Sequence, residues 1–328
     1  MPTNLPPECA KIEEAYREAR DLGEKIRLLE ELIACIPKHK GTDHLRADLR
    51  RRLSKLQDQS ASGKGKTRIV SPYHIDREGA GQVVLIGPPN VGKSALIATF
   101  TNSNPEVSPS PFSTWEPTPG MMPVYDTQVQ LIDTPPLNPD YVERDLMDLI
   151  RRADLVLLMV DVQADPLGQL EESLDLLKEY RIVPDLRRDE AEDPYRWAVV
   201  PMLVVVNKVD DEEADILLEI MQELMEEPWP LLPISVETGR GIDAFKTAVF
   251  EALGVVRVYS KPPGQPPDMS VPFVLRQGAT VEELAGRVHK EILERLTAAR
   301  VWGSAEHDGQ MVGRDHVLQD GDIVELRT

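Results

Sequence analysis

The chain has 328 residues and a formal net charge of −19. That length supports two or three domains with a sizeable core. No apolar run reaches membrane-spanning length, Met1-Pro2-Thr3-Asn4 does not open a signal peptide, and no Cys or His cluster has metal-ligand spacing. The expectation is a cytoplasmic protein with no membrane partner, its two cysteines, Cys9 and Cys35, reduced.

Charge is distributed unevenly. Residues 1–68 hold 15 Lys+Arg against 11 Asp+Glu, while the remainder of the chain has a net charge of −23. Within the first part, residues 8–35 and 42–58 carry helical patterning: Ile12, Tyr16, Ala19 and Leu22, then Ile26, Leu29, Leu32 and Ile33, and after a break Leu45, Leu49, Leu53 and Leu56. The spacing predicts an antiparallel helical hairpin. On the second helix Arg46, Arg50, Arg51, Arg52 and Lys55 cluster beside the leucine stripe. Such a patch is either a solvated face or a local contact for RNA phosphates. Residues 61–66 (ASGKGK) read as a flexible linker.

Val83 to Ile86 is a short buried-strand pattern, and it runs into Gly87-Pro88-Pro89-Asn90-Val91-Gly92-Lys93-Ser94. This is G-x-x-x-x-G-K-[ST], a loop whose backbone N–H groups wrap nucleotide phosphates ahead of a helix, here Lys93–Phe100 with Ala95 in its first turn. Lys93 supplies positive charge to the β- and γ-phosphates, and the Ser94 hydroxyl is a ligand for Mg²⁺. Residues 105–139 hold nine prolines, which predicts irregular loops around one strand, Val129–Ile132. That strand ends in Asp133.

Further strands are predicted at Leu155–Val162 and Met202–Val206, with a helix over 170–180 between them and a charged turn over 187–193. The second of these strands ends in Asn207-Lys208-Val209-Asp210. Guanine presents two donors on one edge, and a carboxylate at Asp210 accepts both. Asn207 can brace neighbouring loops, and the stem of Lys208 can cover a base face. Leu231–Ile234 is another strand, followed by Ser235 and Val236, whose N–H groups can meet the guanine oxygen. All these segments sit at C-terminal strand ends, where open α/β sheets bind ligands. A closing helix is read over 241–253.

From Val255 the pattern changes to strands at 256–259 and 272–275, a helix capped by Thr280 with Glu283 three residues on and reaching about Leu296, and short closing strands. The reading is an α/β chain in three parts: a helical hairpin and linker over 1–66, a P-loop domain with a mainly parallel sheet over 67–254, and a small sheet wrapped round one helix over 255–328.

Taken together, these motifs resemble the DRG branch of the Obg-like GTPases over nearly the whole length. Residues 36–42 (IPKHKGT) resemble the N-terminal helical element of that branch, 112–120 (FSTWEPTPG) its first switch, and 259–265 (YSKPPGQ) with 301–304 (VWGS) its TGS domain, a β-grasp module. The large glycine-rich domain of Obg and the usual DRG insertion are absent. The resemblance implies GTP/GDP binding with Mg²⁺, slow hydrolysis, and association with ribosomes, structured RNA or a partner protein. It places Thr114 on Mg²⁺, with Thr118 as the rival, and Asp133 on Mg²⁺ through water. An asparagine at the position of Asn90 implies a K⁺ ion beside the phosphates. One departure stands out: the family's D-x-P-G is here Asp133-Thr134-Pro135-Pro136, and proline has no N–H to offer a γ-phosphate. Leu137 follows, so no glutamine orients the attacking water there. Two functions compete on these residues, a slow GTPase switch and a nucleotide-bound scaffold with little turnover.

Overall fold

The computed structural model describes residues 71–100, 116–138 and 143–328, together with Leu28, Leu32 and Leu49. The chain divides into two compact units, residues 1–70 and 71–328. In the first unit Leu28, Leu32 and Leu49 are helical and buried, and two of them, Leu32 and Leu49, belong to the stripes read from the sequence. Arg46, Arg50, Arg51, Arg52, Lys55 and Thr114 lie outside the described residues.

The second unit begins with β1 (Gln82–Ile86), which leads through loop 87–92 into α1 (Lys93–Phe100). It continues with β2 (Thr118–Val124), β3 (Thr127–Asp133), α2 (Arg144–Arg152), β4 (Leu155–Asp161), α3 (Pro166–Glu179), β5 (Ile182–Pro184), a 3₁₀ turn at Asp185–Glu190, β6 (Ala198–Val200), β7 (Met202–Asn207), α4 (Glu212–Leu224), β8 (Leu231–Pro233) and α5 (Ile242–Ala252). Six strands form one sheet in the order β2-β3-β1-β4-β7-β8, parallel except for the β2–β3 hairpin. Its central strands are apolar without alternation because both faces are covered. Val84, Ile86, Val156, Leu158, Val204 and Val206 enter one core. Their neighbours Val83, Leu85, Leu155, Leu157 and Val205 enter the other. Helix starts follow local chemistry: Asp165 accepts from Gly168 N–H at 3.0 Å with Pro166 in the first turn of α3, and Asp211 accepts from Ala214 N–H at 2.9 Å to start α4.

The proline-rich stretch departs from expectation. Residues 118–124, read as loop, form β2, paired with β3 from Thr118 opposite Asp133 to Val124 opposite Thr127. Two prolines are tolerated because β2 is the sheet edge. Pro119 and Pro123 share one parity, so both nitrogens face the open side where no ladder bond is lost. Of the expected 187–193 turn, residues 187–190 belong to the 3₁₀ segment and 191–193 follow it, and β5 and β6 pair in parallel as a separate two-stranded sheet that the sequence reading did not anticipate.

After Gly254 a second sheet forms from β9 (Val255–Ser260) and β10 (Phe273–Arg276), then α6 (Val281–Val288), α7 (Lys290–Arg295), β11 (Ala298–Trp302), β12 (Gln310–Val312) and β13 (Asp322–Arg327). The order is β10-β9-β13-β11-β12, with the first and last strands of this region, β9 and β13, parallel at its centre. Val258, Val281, Leu284, Val301 and Val324 make its core. Thr280 caps α6, accepting from Glu283 N–H at 3.4 Å. The single helix expected to reach Leu296 is broken at His289, whose backbone is extended. The His289 ring caps α7 by accepting from Glu291 N–H at 3.2 Å.

The two sheets meet at the tip of the β2–β3 hairpin. Arg257 reaches Asp126 at 2.8 Å and Asp320 at 2.7 Å, lies 4.5 Å from the centre of the Tyr125 ring, and is joined by the Tyr259 hydroxyl, which also donates to Asp126. Burial raises the Asp126 carboxyl, but Tyr259 and Arg257 outweigh it and hold it below the ordinary carboxylate range.

Within the second sheet, the buried Asp322 carboxylate accepts from Ser304 N–H (2.7 Å), Ser304 Oγ (2.6 Å) and Gln319 N–H (2.8 Å). A side chain at Gly303, where φ is +122°, would come within 2.6 Å of that carboxylate, which explains Trp-Gly-Ser at this turn. Asp322→Ala strands these donors and is expected to cost roughly 2–3 kcal/mol. The check is the denaturant midpoint of the full chain; an unchanged midpoint would remove Asp322 as the turn's anchor.

Candidate nucleotide-binding site

The loop from Gly87 to Gly92 closes over its own lysine. Lys93 is buried, and its Nζ donates to Gly87 O and Pro88 O, both at 2.9 Å. Burial brings its pKa down from 10.5 to about 8, partly opposed by the charge of Asp133. An ammonium has three donors, so one remains for an incoming acceptor. Asn90 stands at φ +65°, exposed at the loop crest beside Pro89, and Val91 is buried beneath it. Gly92 has φ +99°, and a Cβ there would lie 2.4 Å from the Asn207 amide nitrogen.

Ser94 is the second residue of α1 and donates to Asp133 Oδ2 at 2.6 Å. The second Asp133 oxygen is buried with no hydrogen-bond partner. Burial raises the Asp133 carboxyl, with Ser94 and Lys93 opposing. A hydroxyl beside a buried carboxylate oxygen left unsatisfied is a set of hard donors that fits Mg²⁺. Thr118, the rival to Thr114, is half-buried and directly opposite Asp133 in the ladder.

The segment after Asp133 is tied to the loop. Thr134 Oγ1 donates to Leu85 O at 2.6 Å, and Leu137 N–H donates to Gly87 O at 3.0 Å. The Leu137 side chain is buried in the core, so Pro135 and Pro136 span between two fixed points.

At the other end of the site, β7 delivers Asn207. Its amide donates to Val91 O at 2.8 Å and accepts from Val236 N–H at 3.2 Å, joining the phosphate-type loop to the loop after β8. Lys208, at φ +66°, turns back to pair with Asp161 at the end of β4. Asp210 accepts from the Ser235 hydroxyl and, at 3.3 Å, from Gln163 Nε2. Ser235 is fully buried and also accepts from Thr238 N–H at 2.9 Å. These contacts bring Gly87–Ala95, Asp133, Asn207, Lys208, Asp210, Ser235 and Val236 to one edge of the sheet.

Asp161 and Gln163 were missed from sequence. The signal for Asp161 was present: it ends its strand level with Asn207 in the parallel ladder. Gln163 carries no sequence signal, since its role depends on the turn after β4, where its N–H reaches Asp161 at 2.9 Å.

Residues 82–208 match the family described as 50S ribosome-binding GTPase, and residues 256–328 match the TGS domain. An uncharacterized GTP-binding protein of Methanocaldococcus jannaschii is 30% identical over 360 aligned residues, covering 92% of each chain. Developmentally-regulated G-protein 2 of Arabidopsis thaliana is 28% identical, covering 92% of this chain and 90% of its own. The YchF GTPase of Schizosaccharomyces pombe superposes with a TM-score of 0.52 at 14% identity, over 77% of this chain and 99% of that one, a likeness of fold. A P-loop that shares one sheet edge with Asn-Lys-x-Asp, followed by a TGS domain and matched along nine-tenths of its length, makes this chain a member of the DRG-type GTP-binding proteins.

Proposed function

We propose that the chain is a slow, Mg²⁺-dependent GTPase that acts as a switch on ribosomes or structured RNA. The observation that carries the reading is the pairing of Ser94 with Asp133, whose second oxygen is buried and unpartnered beside the Lys93 ammonium. Lys93, Ser94 and Asp133, with Thr114 from the first switch, are the groups assigned to phosphate and metal. A bound Mg²⁺ would neutralise charge between the β- and γ-phosphates. Lys93 holds the phosphates and the backbone from Pro88 to Ala95 cradles them. Asp210 selects guanine, with Asn207, Lys208, Ser235 and Val236 shaping the pocket. Asn90 is assigned to a K⁺ ion, a charge that suits a site with leucine in place of a glutamine at 137.

The ribosome is favoured as partner because the matching family carries that description and because Arg46, Arg50, Arg51, Arg52 and Lys55 concentrate positive charge in an otherwise acidic chain. The cytoplasm is the compartment this reading requires. A second reading, a GTP- or GDP-filled scaffold with little turnover, is favoured by one feature. Pro136 has no N–H, and the next one, at Leu137, is already given to Gly87 O.

Single-turnover GTP hydrolysis with and without ribosomes separates the two readings. The switch predicts Mg²⁺-dependent turnover that ribosomes accelerate and that is faster in K⁺ than in Na⁺. No turnover under any of these conditions leaves the scaffold, and equal rates in K⁺ and Na⁺ remove the Asn90 assignment.

Asp210→Asn turns one acceptor into a donor facing the guanine N–H groups. The expected loss is on the order of 1–3 kcal/mol, roughly tenfold or more in GTP and GDP affinity. Unchanged affinity in a calorimetric titration would refute the role given to Asp210.

Lys93 gives a pH signature. Its free pKa is about 8, below the ordinary 10.5. In that window the unfolded chain holds a proton that the native lysine has lost, so this group's contribution to stability rises with pH. Phosphates favour the charged form, so nucleotide binding at roughly pH 8.5 takes up a proton, and affinity falls as pH rises through 8. Titrations in buffers of different ionisation enthalpy read the uptake directly; none at pH 8.5 would contradict the assignment.

A further inference from the structure

The apolar arc of α4 is wider than the face it buries. Ala214, Leu218 and Met221 are buried towards the sheet. The arc continues out of the core through Leu217, 41% exposed, Leu224, 64%, Ile220, 46%, and Ile216, 57%. Steps of four put Ile216, Ile220 and Leu224 in one row, with Leu217 beside it. A surface helix ordinarily turns polar residues outward. This row does not stop at the end of the helix. Leu224 is also part of the wall of a cavity of about 370 Å³ between α3 and the chain after α4, together with Leu170, Met225 and Trp229. The row thus runs into a cavity of mixed lining, whose apolar part is Leu167, Leu170, Leu224, Met225 and Trp229, and the two make one strip.

The rim of the strip is acidic. Glu212, Glu213, Glu219, Glu223 and Glu226 are exposed, and among the described residues none of them is in an ion pair. Only Asp215 on this helix is paired, with Arg240 at 2.9 Å. The cation in the cavity wall, Arg187, is already held by Glu171 at 3.1 Å and Glu227 at 2.8 Å. The surface therefore offers apolar area and uncompensated negative charge together.

We propose that this strip docks a basic amphipathic helix of a protein partner. Its apolar stripe would lie along Ile216, Ile220 and Leu224, one large apolar side chain would fill the cavity, and its Lys and Arg would face the free glutamates. Charge decides against three occupants: the same strip on a second copy of the chain would set one glutamate row against another, and nucleic acid or an anionic bilayer would be repelled by that row.

The test uses the full chain loaded with GDP and Mg²⁺, and three fluorescein-labelled 20-residue peptides. One is a Lys/Leu amphipathic helix with a central Trp, the second has every Lys replaced by Glu, and the third is a scramble of the first. Fluorescence anisotropy should show binding of the first peptide at least tenfold tighter than of the other two. The exposed-site variant I216S/I220S/L224S and the charge variant E219K/E223K should each weaken it tenfold or more, with thermal midpoints unchanged. Hydrogen exchange should report protection within residues 212–229 when the first peptide is bound. Equal binding of the scrambled peptide, or indifference to both variants, would overturn the proposal. So would a dimer of the free chain that I216S/I220S/L224S abolishes, since that identifies the occupant as a second copy.

Discussion

The Asn207 carboxamide is the contact on which the site depends. Its nitrogen donates to Val91 O and its oxygen accepts from Val236 N–H, so one side chain fixes two loops that are 116 and 29 residues away in sequence. The bridge works only because Gly92 has no Cβ, which would sit 2.4 Å from that nitrogen. The glycine and the asparagine are therefore one device, although they belong to different motifs. Asn207 is buried, and a shorter or apolar replacement would leave a carbonyl and an N–H without partners in the interior of the site. The Lys208–Asp161 pair acts alongside it, holding the turn after β7 against the end of β4.

The β2–β3 hairpin carries this order outward. At one end Thr118 stands opposite Asp133, next to the Ser94 hydroxyl. At the other, Tyr125 and Asp126 form the tip, with Tyr125 at φ +53° and its ring edge-on to Phe250 at 5.4 Å. Arg257 sits between Asp126 and Asp320, so hairpin and C-terminal sheet share one guanidinium. Charge-assisted contacts of this kind are geometrically specific. The tip thus joins the hairpin that carries Asp133 directly to the C-terminal sheet.

The elements most legible in sequence were those with two covered faces. β1, β4 and β7 announce themselves as unbroken Val, Ile and Leu runs, and the loops after them carry glycine, lysine and aspartate at spacings that chemistry fixes. What the sequence hid follows from tertiary position. β2 reads as loop because its prolines are compatible with a strand only at an edge, and edge position is a property of the sheet. The helix break at His289 has no proline to mark it, and the nearby Gly286 lies inside α6 rather than at the break. Gln163 reaches Asp210 only after β4 and β7 align Asp161 with Asn207. Residue types marked the strand ends that the fold brings together wherever the backbone alone places them, and carried no signal where a partner from another strand decides.

The replacement of glycine by Pro136 gains meaning from its surroundings. A missing N–H could be offset if its neighbour were free to turn inward. Leu137 is not free: its N–H is on Gly87 O and its side chain is buried. Thr134 is fixed on Leu85 O at the other side. Two prolines between two anchors leave little backbone freedom, since each locks its own φ. Gly87 O also receives Lys93, so any acceptor that draws the lysine away leaves Leu137 as the remaining donor to that carbonyl and does not release the segment. Residues 134–137 are thus held at both ends, while Lys93 keeps one donor uncommitted and the Ser94–Asp133 pair keeps one carboxylate oxygen without a hydrogen bond.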